Sequence, residues 1–540
     1  MTPVGLAATA GGRSGERVRS GGEEHRKRDK AKRHAKHRKK HHKHKRKRVL
    51  KRPKPHHTVA AVPPAPLPVA PSSPPASSSA PAPSVGSPPI TLAQARRLLW
   101  RAGFGPTPGQ AEALVGQPLE QVVFGLTRPS GEATLTGPAP VEENGEPLDP
   151  YDVWGDDHCW WLDRMVRSDQ SLVERMTYIL HDWFANSNEK VGSQRMMLEQ
   201  YELFRSMCFG SFHDLFLAVT GNPAMLVFLD GIYNEKHNPN ENYAREMMEL
   251  FSLGADRGAY TQEDVKEMAR VLTGWTAEWT AEGLGEFEFD TARHDKTEKT
   301  LSAAFGTSGN PIKGNWNWED AVRLCVEHPL HASFFVTKLW GYFIPSPPDE
   351  ATLASLQGLY VSSSYSIRAV LEAILLHPDF YEGAELVTPP VVYNAGLLRS
   401  IGRPIDTNAW TWLSANAGQQ LFYPPNVSGW DFSAWLDTST TKARWEMASY
   451  VTAKTYENPW PAEGEPKYSE TEEPAAALAS AMSYWANPLL SSESSACIAR
   501  FAETCPAGTS KTKWDLSPYR AMRQNALRML IATSPDMQVS

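Results

Sequence analysis

Residues 238–254 read Asn238-Pro-Asn-Glu-Asn-Tyr-Ala-Arg-Glu-Met-Met-Glu-Leu-Phe-Ser-Leu-Gly254, and their spacing decides the kind of fold this chain adopts. With a helix beginning near Asn240, Tyr243, Met247, Leu250 and Phe251 share an apolar face, while Asn242, Arg245, Glu246 and Glu249 fall at i, i+3, i+4 and i+7 on a polar one. Gly254 stands where such a helix should stop. The same punctuation recurs on both sides. Ser171-Leu-Val-Glu174 and Thr261-Gln-Glu-Asp264 are capping-box patterns, and Gly274 is a second helix stop. Leu92, Ala95, Leu98, Leu99 and Ala102 follow helical spacing behind Thr91 as N-cap, and a last amphipathic helix is predicted from Pro518 to Thr533. Strand-like alternation is scarce: Glu286-Phe-Glu-Phe-Asp290 is the best example, enough for one short strand or hairpin arm. The fold class is therefore mainly α, a large single helical domain over residues 90–540 with few short strands, no internal repeat and a looser Glu-, Ser- and Ala-rich insertion near 462–515.

Ahead of that domain the composition changes. Residues 1–57 hold 21 Lys+Arg against 4 Asp+Glu, and half of the histidines, whereas the rest of the chain holds 34 basic and 57 acidic residues. A segment with so little apolar surface cannot bury a core and is predicted to be a disordered basic tail. Such charge density implies nonspecific binding to nucleic acid or another polyanion with a steep salt dependence, or else a solvated tail without a partner. Residues 58–89, with 11 prolines among Ala, Ser and Val, read as an extended linker. No run of about 20 apolar residues is present, so no transmembrane helix is predicted; the richest run, Phe334 to Ile344, is interrupted by Lys338. No signal peptide is legible near the first residue, since Val4 to Ala10 is short and precedes the positive charge. Five cysteines are too few for a disulfide framework; Cys497 and Cys505 stand near enough in sequence to leave open a bridge or two free thiols.

Chemistry-bearing residues gather in a few passages. The stripe Asn242, Arg245, Glu246, Glu249 is followed on the next helix by Glu263, Glu267 and Arg270, so two polar stripes are placed to face each other, as a site or as an Arg/Glu lattice. Upstream, Glu174, Tyr178 and His181 share a stripe, with His181 near a helix C-terminus, where the dipole favours its protonated form. His294-Asp295 with Lys299 is a loop-like ionisable set suited to metal ligation or acid/base work. Pro424-Pro-Asn-Val-Ser-Gly-Trp430 is a rigid turn whose Asn426 and Trp430, with Trp435, line a cleft or fill core space. H-E-x-x-H, zinc-spaced cysteines, a P-loop, a dinucleotide fingerprint, Gly-x-Ser-x-Gly and paired Glu-x-x-His motifs are all missing.

Several passages together resemble the bacterial "domain of unknown function 1800" family over roughly residues 92–538: Arg101-Ala-Gly-Phe-Gly105, His181-Asp-Trp-Phe184, Asn240 to Leu250, Tyr260-Thr-Gln-Glu-Asp-Val265, Ala269-Arg-Val-Leu-Thr-Gly-Trp275, His294-Asp295 with Lys299, the Pro424–Trp430 turn and Thr533-Ser-Pro-Asp536. The resemblance implies a mostly helical domain and often an exported setting; it implies no reaction. The family's glycine-containing turn before the lysine here reads Lys296-Thr-Glu298.

Two function classes follow. One is a hydrolase-like enzyme with Glu246, Glu249, Asp295 and Arg245 as candidate catalytic residues. Asn240, Asn242, Arg270, Lys299, Asn426 and Trp430 would bind substrate, and His181, His294 and Glu246 would hold a divalent metal. The other is a noncatalytic binding or assembly protein tethered to an anionic surface by its basic tail.

Overall fold

The computed structural model describes residues 88–540 apart from 281–282, 307–308 and 506–516; the predicted basic tail and nearly all of the linker lie outside the described residues. Among the described residues the architecture is mainly helical, with two small two-stranded antiparallel sheets. Its centre is α3 (Ser171–Trp183), all of whose residues are buried. α2 (Asp156–Arg167) and α4 (Gln194–Met207) pack against it; the chain also forms α1 (Leu92–Arg101) and α5 (Glu241–Glu246), the last running directly into a π-helical turn, Met247–Ser252, that Trp183 of α3 meets. Next come α6 (Gln262–Val271), α7 (His331–Gly341), α8 (Pro390–Ile401) and α9 (Thr438–Thr452).

Local chemistry explains most boundaries. Thr91 caps α1 in a capping box with Gln94, and Thr261 caps α6 with Asp264. Gly254 and Gly274 adopt φ of 88° and 123°, where a Cβ would be strained. Ser171 departs from expectation: α3 starts at that residue with Gln170 as N-cap and no side-chain cap, because Glu174 turns inward to accept bonds from Tyr201 Oη (2.7 Å) and Arg205 Nε (3.1 Å).

The anticipated strand is β2 (Gly283–Phe289), paired with β1 (Trp275–Thr280) through Trp275↔Phe289 and Thr276↔Glu288. A second pair, β3 (Lys299–Leu301) with β4 (Ile312–Gly314), was not anticipated because each strand is only three residues long. In the region read as a looser insertion, helices Pro474–Tyr484 and Ser492–Thr504 stand beside the final helix, Ser517–Ala532, and Trp485 donates to the Arg528 carbonyl at 2.8 Å. Their apolar periodicity is weak because the buried positions Ala477 and Ala481 are small. Cys497 and Cys505 are free thiols. Among the described residues no helix is long and apolar enough to cross a membrane.

Candidate functional site

Because α3 is buried on every side, its polar residues all point into protein. Glu174, Tyr178 and His181 share the expected stripe, of which His181 alone was a site candidate; a second polar stripe, Arg175, Tyr178 and Asp182 at i, i+3 and i+7, carries the contacts to the Trp430 turn. Asp182 accepts from the Trp430 backbone N–H at 2.9 Å and from Tyr342 Oη at 2.7 Å, and burial pushes its carboxyl up to about 6. Tyr178 Oη accepts from Gln419 Nε2 (2.7 Å), and its ring stacks on Trp430 with centroids 5.9 Å apart. Trp430 and Trp435 are thus core residues, and the cleft-lining reading of Trp430 is corrected: the turn folds its indole onto α3.

Arg175 is fully buried over the Tyr178 ring (5.3 Å), with Nε and Nη1 unpartnered; it makes no hydrogen bond or ion pair among the described residues. A buried cation without a counter-charge works against folding. Arg175→Met is therefore expected to raise the thermal midpoint, by roughly 1 kcal/mol of added stability or more. A lower midpoint in differential scanning fluorimetry would show that the folded protein neutralises this guanidinium.

His181 is packed against Trp161, Phe422 and Trp430, with centroids 5.4, 5.6 and 5.5 Å away. The helix dipole was expected to favour its charged form, but burial in this aromatic cage dominates and lowers it to about 3, leaving a neutral ring.

The π turn ends beside α3 and α7, and the carbonyls left open at its C-terminal end are taken by side chains from those helices. Lys338 donates to the Leu250 carbonyl (2.8 Å), Trp183 Nε1 to that of Phe251 (3.1 Å), and His331 Nδ1 lies 2.8 Å from that of Ser252. Lys338 also sits 4.8 Å from the centroid of the Trp183 ring, and burial lowers its ammonium to about 8. The turn rotates the apolar face, so Met247, Met248 and Phe251 are buried while Leu250, expected inside, is only half-buried. Such turns are frequent at functional sites.

Glu246 and Glu249 stand on this segment, half-buried, and neither makes a hydrogen bond or an ion pair among the described residues. Burial raises the Glu246 carboxyl, the Glu249 charge raises it further, and Arg245 opposes both. Tyr260 shares the electrostatic neighbourhood of Glu249, Arg245 and Glu246, and burial lifts its hydroxyl to about 12. Several other acids are engaged, Glu241 with Arg245, Asp230 with Lys190 and Asn242, and Asp264 with Thr261 and Ser302, while Asp256, another charged neighbour of Tyr260, is exposed.

Elsewhere the expected residues serve the scaffold. Asn240 caps α5, and Asn242 donates to Asp230 (2.8 Å). Arg245 bridges Glu241 and Gln262 at 2.9 and 3.0 Å, tying α5 to α6. Arg270 is spent on Glu267, Asp295, Thr297 and the Glu298 carbonyl, which holds Asp295 ionised well below the usual carboxylate range despite its partial burial. His294 Nδ1 meets the Thr273 carbonyl at 2.9 Å, and Lys299 is buried, donating to the carbonyls of Asp295 and Trp316. Asn426 is exposed and accepts from the Ser428 N–H (2.8 Å).

Among the described residues no three His, Cys, Asp or Glu side chains form a group able to hold a metal ion. The metal set His181, His294 and Glu246 is corrected accordingly: one imidazole is caged by aromatics, the other is turned to Thr273, and the carboxylate lies on the π turn. Sequence reasoning missed Arg175, Asp182 and Lys338 as buried ionisable groups; the one signal was Lys338 interrupting an apolar run.

A family model described as "Protein of unknown function (DUF1800)" matches residues 97–539. No curated protein and no solved structure matches the chain.

Proposed function

The chain belongs to the DUF1800 family, and from that premise we propose that it is a hydrolase-like enzyme in which Glu246 transfers a proton and Glu249 is its charged neighbour. The observation that carries this reading is the pair of half-buried carboxyls that make no hydrogen bond or ion pair among the described residues, beside Arg245 and Tyr260. Folding gains nothing from leaving two like charges side by side, whereas a site that moves protons needs a carboxyl whose protonated form persists toward neutrality. In this reading the raised Glu246 gives its proton to a leaving oxygen, Glu249 takes the proton of the attacking water, and Tyr260 orients a polar substrate together with the Arg245 donors that its bridge through Nη2 to Glu241 and Gln262 leaves free. Among the described residues no three His, Cys, Asp or Glu side chains gather around Glu246 and Glu249 to hold a metal.

The test is hydrolysis of methyl butyrate, glycerol phosphate and methyl β-glucoside, whose alkoxide leaving groups need a proton, by the full chain near pH 6. Release from one of them is expected to fall about 100-fold or more in Glu246→Gln at unchanged near-UV circular dichroism. Equal release by the variant, or no release from any of the three, contradicts the reading.

A second reading rests on the head, with its 21 basic against 4 acidic residues: a polyanion tether for the domain. Deleting residues 1–57 is expected to abolish retention on heparin at low salt and leave the melting temperature unchanged. Retained adsorption, or a large loss of stability, would refute it.

A further inference from the structure

Away from the acid pair, α1 and residues near 489 and 537 enclose a cavity of about 300 Å³, within the small-ligand size range. One wall is cationic. Arg96, with a side chain 10% exposed, gives Nη2 to Glu112 at 2.9 Å, but its Nε is buried with no partner. Arg97 gives Nη1 to the Tyr381 carbonyl, and its other donors make no hydrogen bond among the described residues. The apolar part of the lining is Trp100, on the same helix as the two arginines, with Leu489, Leu490 and Met537. The Trp100 ring is held rigidly: a Cβ on Gly396 would meet it at 2.2 Å and one on Gly105 at 2.9 Å, so both glycine backbones pack directly onto it.

We propose that this cavity binds a small amphipathic carboxylate, its head at Arg96 and Arg97 and its hydrocarbon body against Trp100, Leu489, Leu490 and Met537. Arg97, which lines the cavity, keeps guanidinium donors that make no hydrogen bond among the described residues and are free to meet an acceptor there. A guanidinium pair favours a planar, bidentate acceptor. Two acids also line the cavity, Glu385 and Asp536, the latter engaged by the Ser491 N–H at 3.0 Å. They disfavour a second negative charge on the guest, and the apolar wall leaves a fully hydrated oxyanion poorly matched, so a monoanion with a hydrocarbon tail fits better than inorganic phosphate.

Isothermal titration of the full chain with octanoate, octanol and inorganic phosphate tests this. Octanoate is expected to bind once per chain, at least tenfold more tightly than octanol, with phosphate failing to compete. Arg97→Gln is expected to weaken octanoate at least tenfold and leave octanol unchanged; Leu489→Trp, which fills the mouth, is expected to abolish binding of both at an unchanged melting temperature. Octanoate binding no tighter than octanol, displacement by phosphate, or indifference to both substitutions would overturn the proposal.

Discussion

Alanine at Gly429 is expected to destabilise the domain by about 3 kcal/mol or more, through two effects that add. Gly429 sits at φ +87°, a left-handed conformation that a side chain strains. The new Cβ would also meet Asp182 Oδ1 at 2.2 Å and the Asp182 carbonyl oxygen at 3.0 Å. The carboxylate must move, and in moving it surrenders the Trp430 N–H and the Tyr342 hydroxyl, leaving buried groups unpaired. The urea midpoint measures the loss. A double-mutant cycle separates the contributions: in an Asp182→Ala background the same glycine substitution should cost less, because the carboxylate clash is gone and only the backbone strain and the close approach to the carbonyl oxygen of residue 182 remain. Equal cost in both backgrounds would show that the contact between turn and helix is incidental.

The second large effect concerns the acid pair. If Glu246 acts in its protonated form, activity falls as pH rises through its raised value. Glu249→Gln removes a like charge, so the Glu246 value should fall and the descending limb of kcat/KM should move to lower pH. Arg245→Gln removes an opposing cation and should move the limb the other way. A merely structural role for Glu249 would change the magnitude of kcat/KM and leave the limb in place.

Much of this architecture was legible from spacing. The apolar periodicity of α1, the capping box of α6, the glycine stops at 254 and 274 and the alternation at 286–290 each rest on a local rule, and each has its counterpart in the structure. The site was less legible. Periodicity places residues on a helix face but does not reveal that α3 is buried on every side, so Glu174–Tyr178–His181 and Arg175–Tyr178–Asp182 were equally good polar stripes. An extra residue in a turn leaves no mark on composition, which hid the π turn and the exchange of Leu250 for Met248 in the core. Loop chemistry misled in the opposite direction: His294, Lys299 and Arg270 have the residue types of a reactive centre but are engaged with the carbonyls and carboxylates that hold β3 and its loop. The acids at 246 and 249 were placed on one helix stripe by a local rule, which did not disclose that they make no hydrogen bond or ion pair among the described residues.

The central claim is that the Glu246 carboxyl is unpaired and coupled to Glu249. Its most direct test is a carboxyl-carbon NMR titration of the full chain, with Glu246 assigned by comparison with Glu246→Gln, repeated in Glu249→Gln. The expected result is a Glu246 midpoint above the ordinary glutamate range that drops when Glu249 is neutralised. A midpoint within the ordinary range, or one indifferent to residue 249, would contradict it.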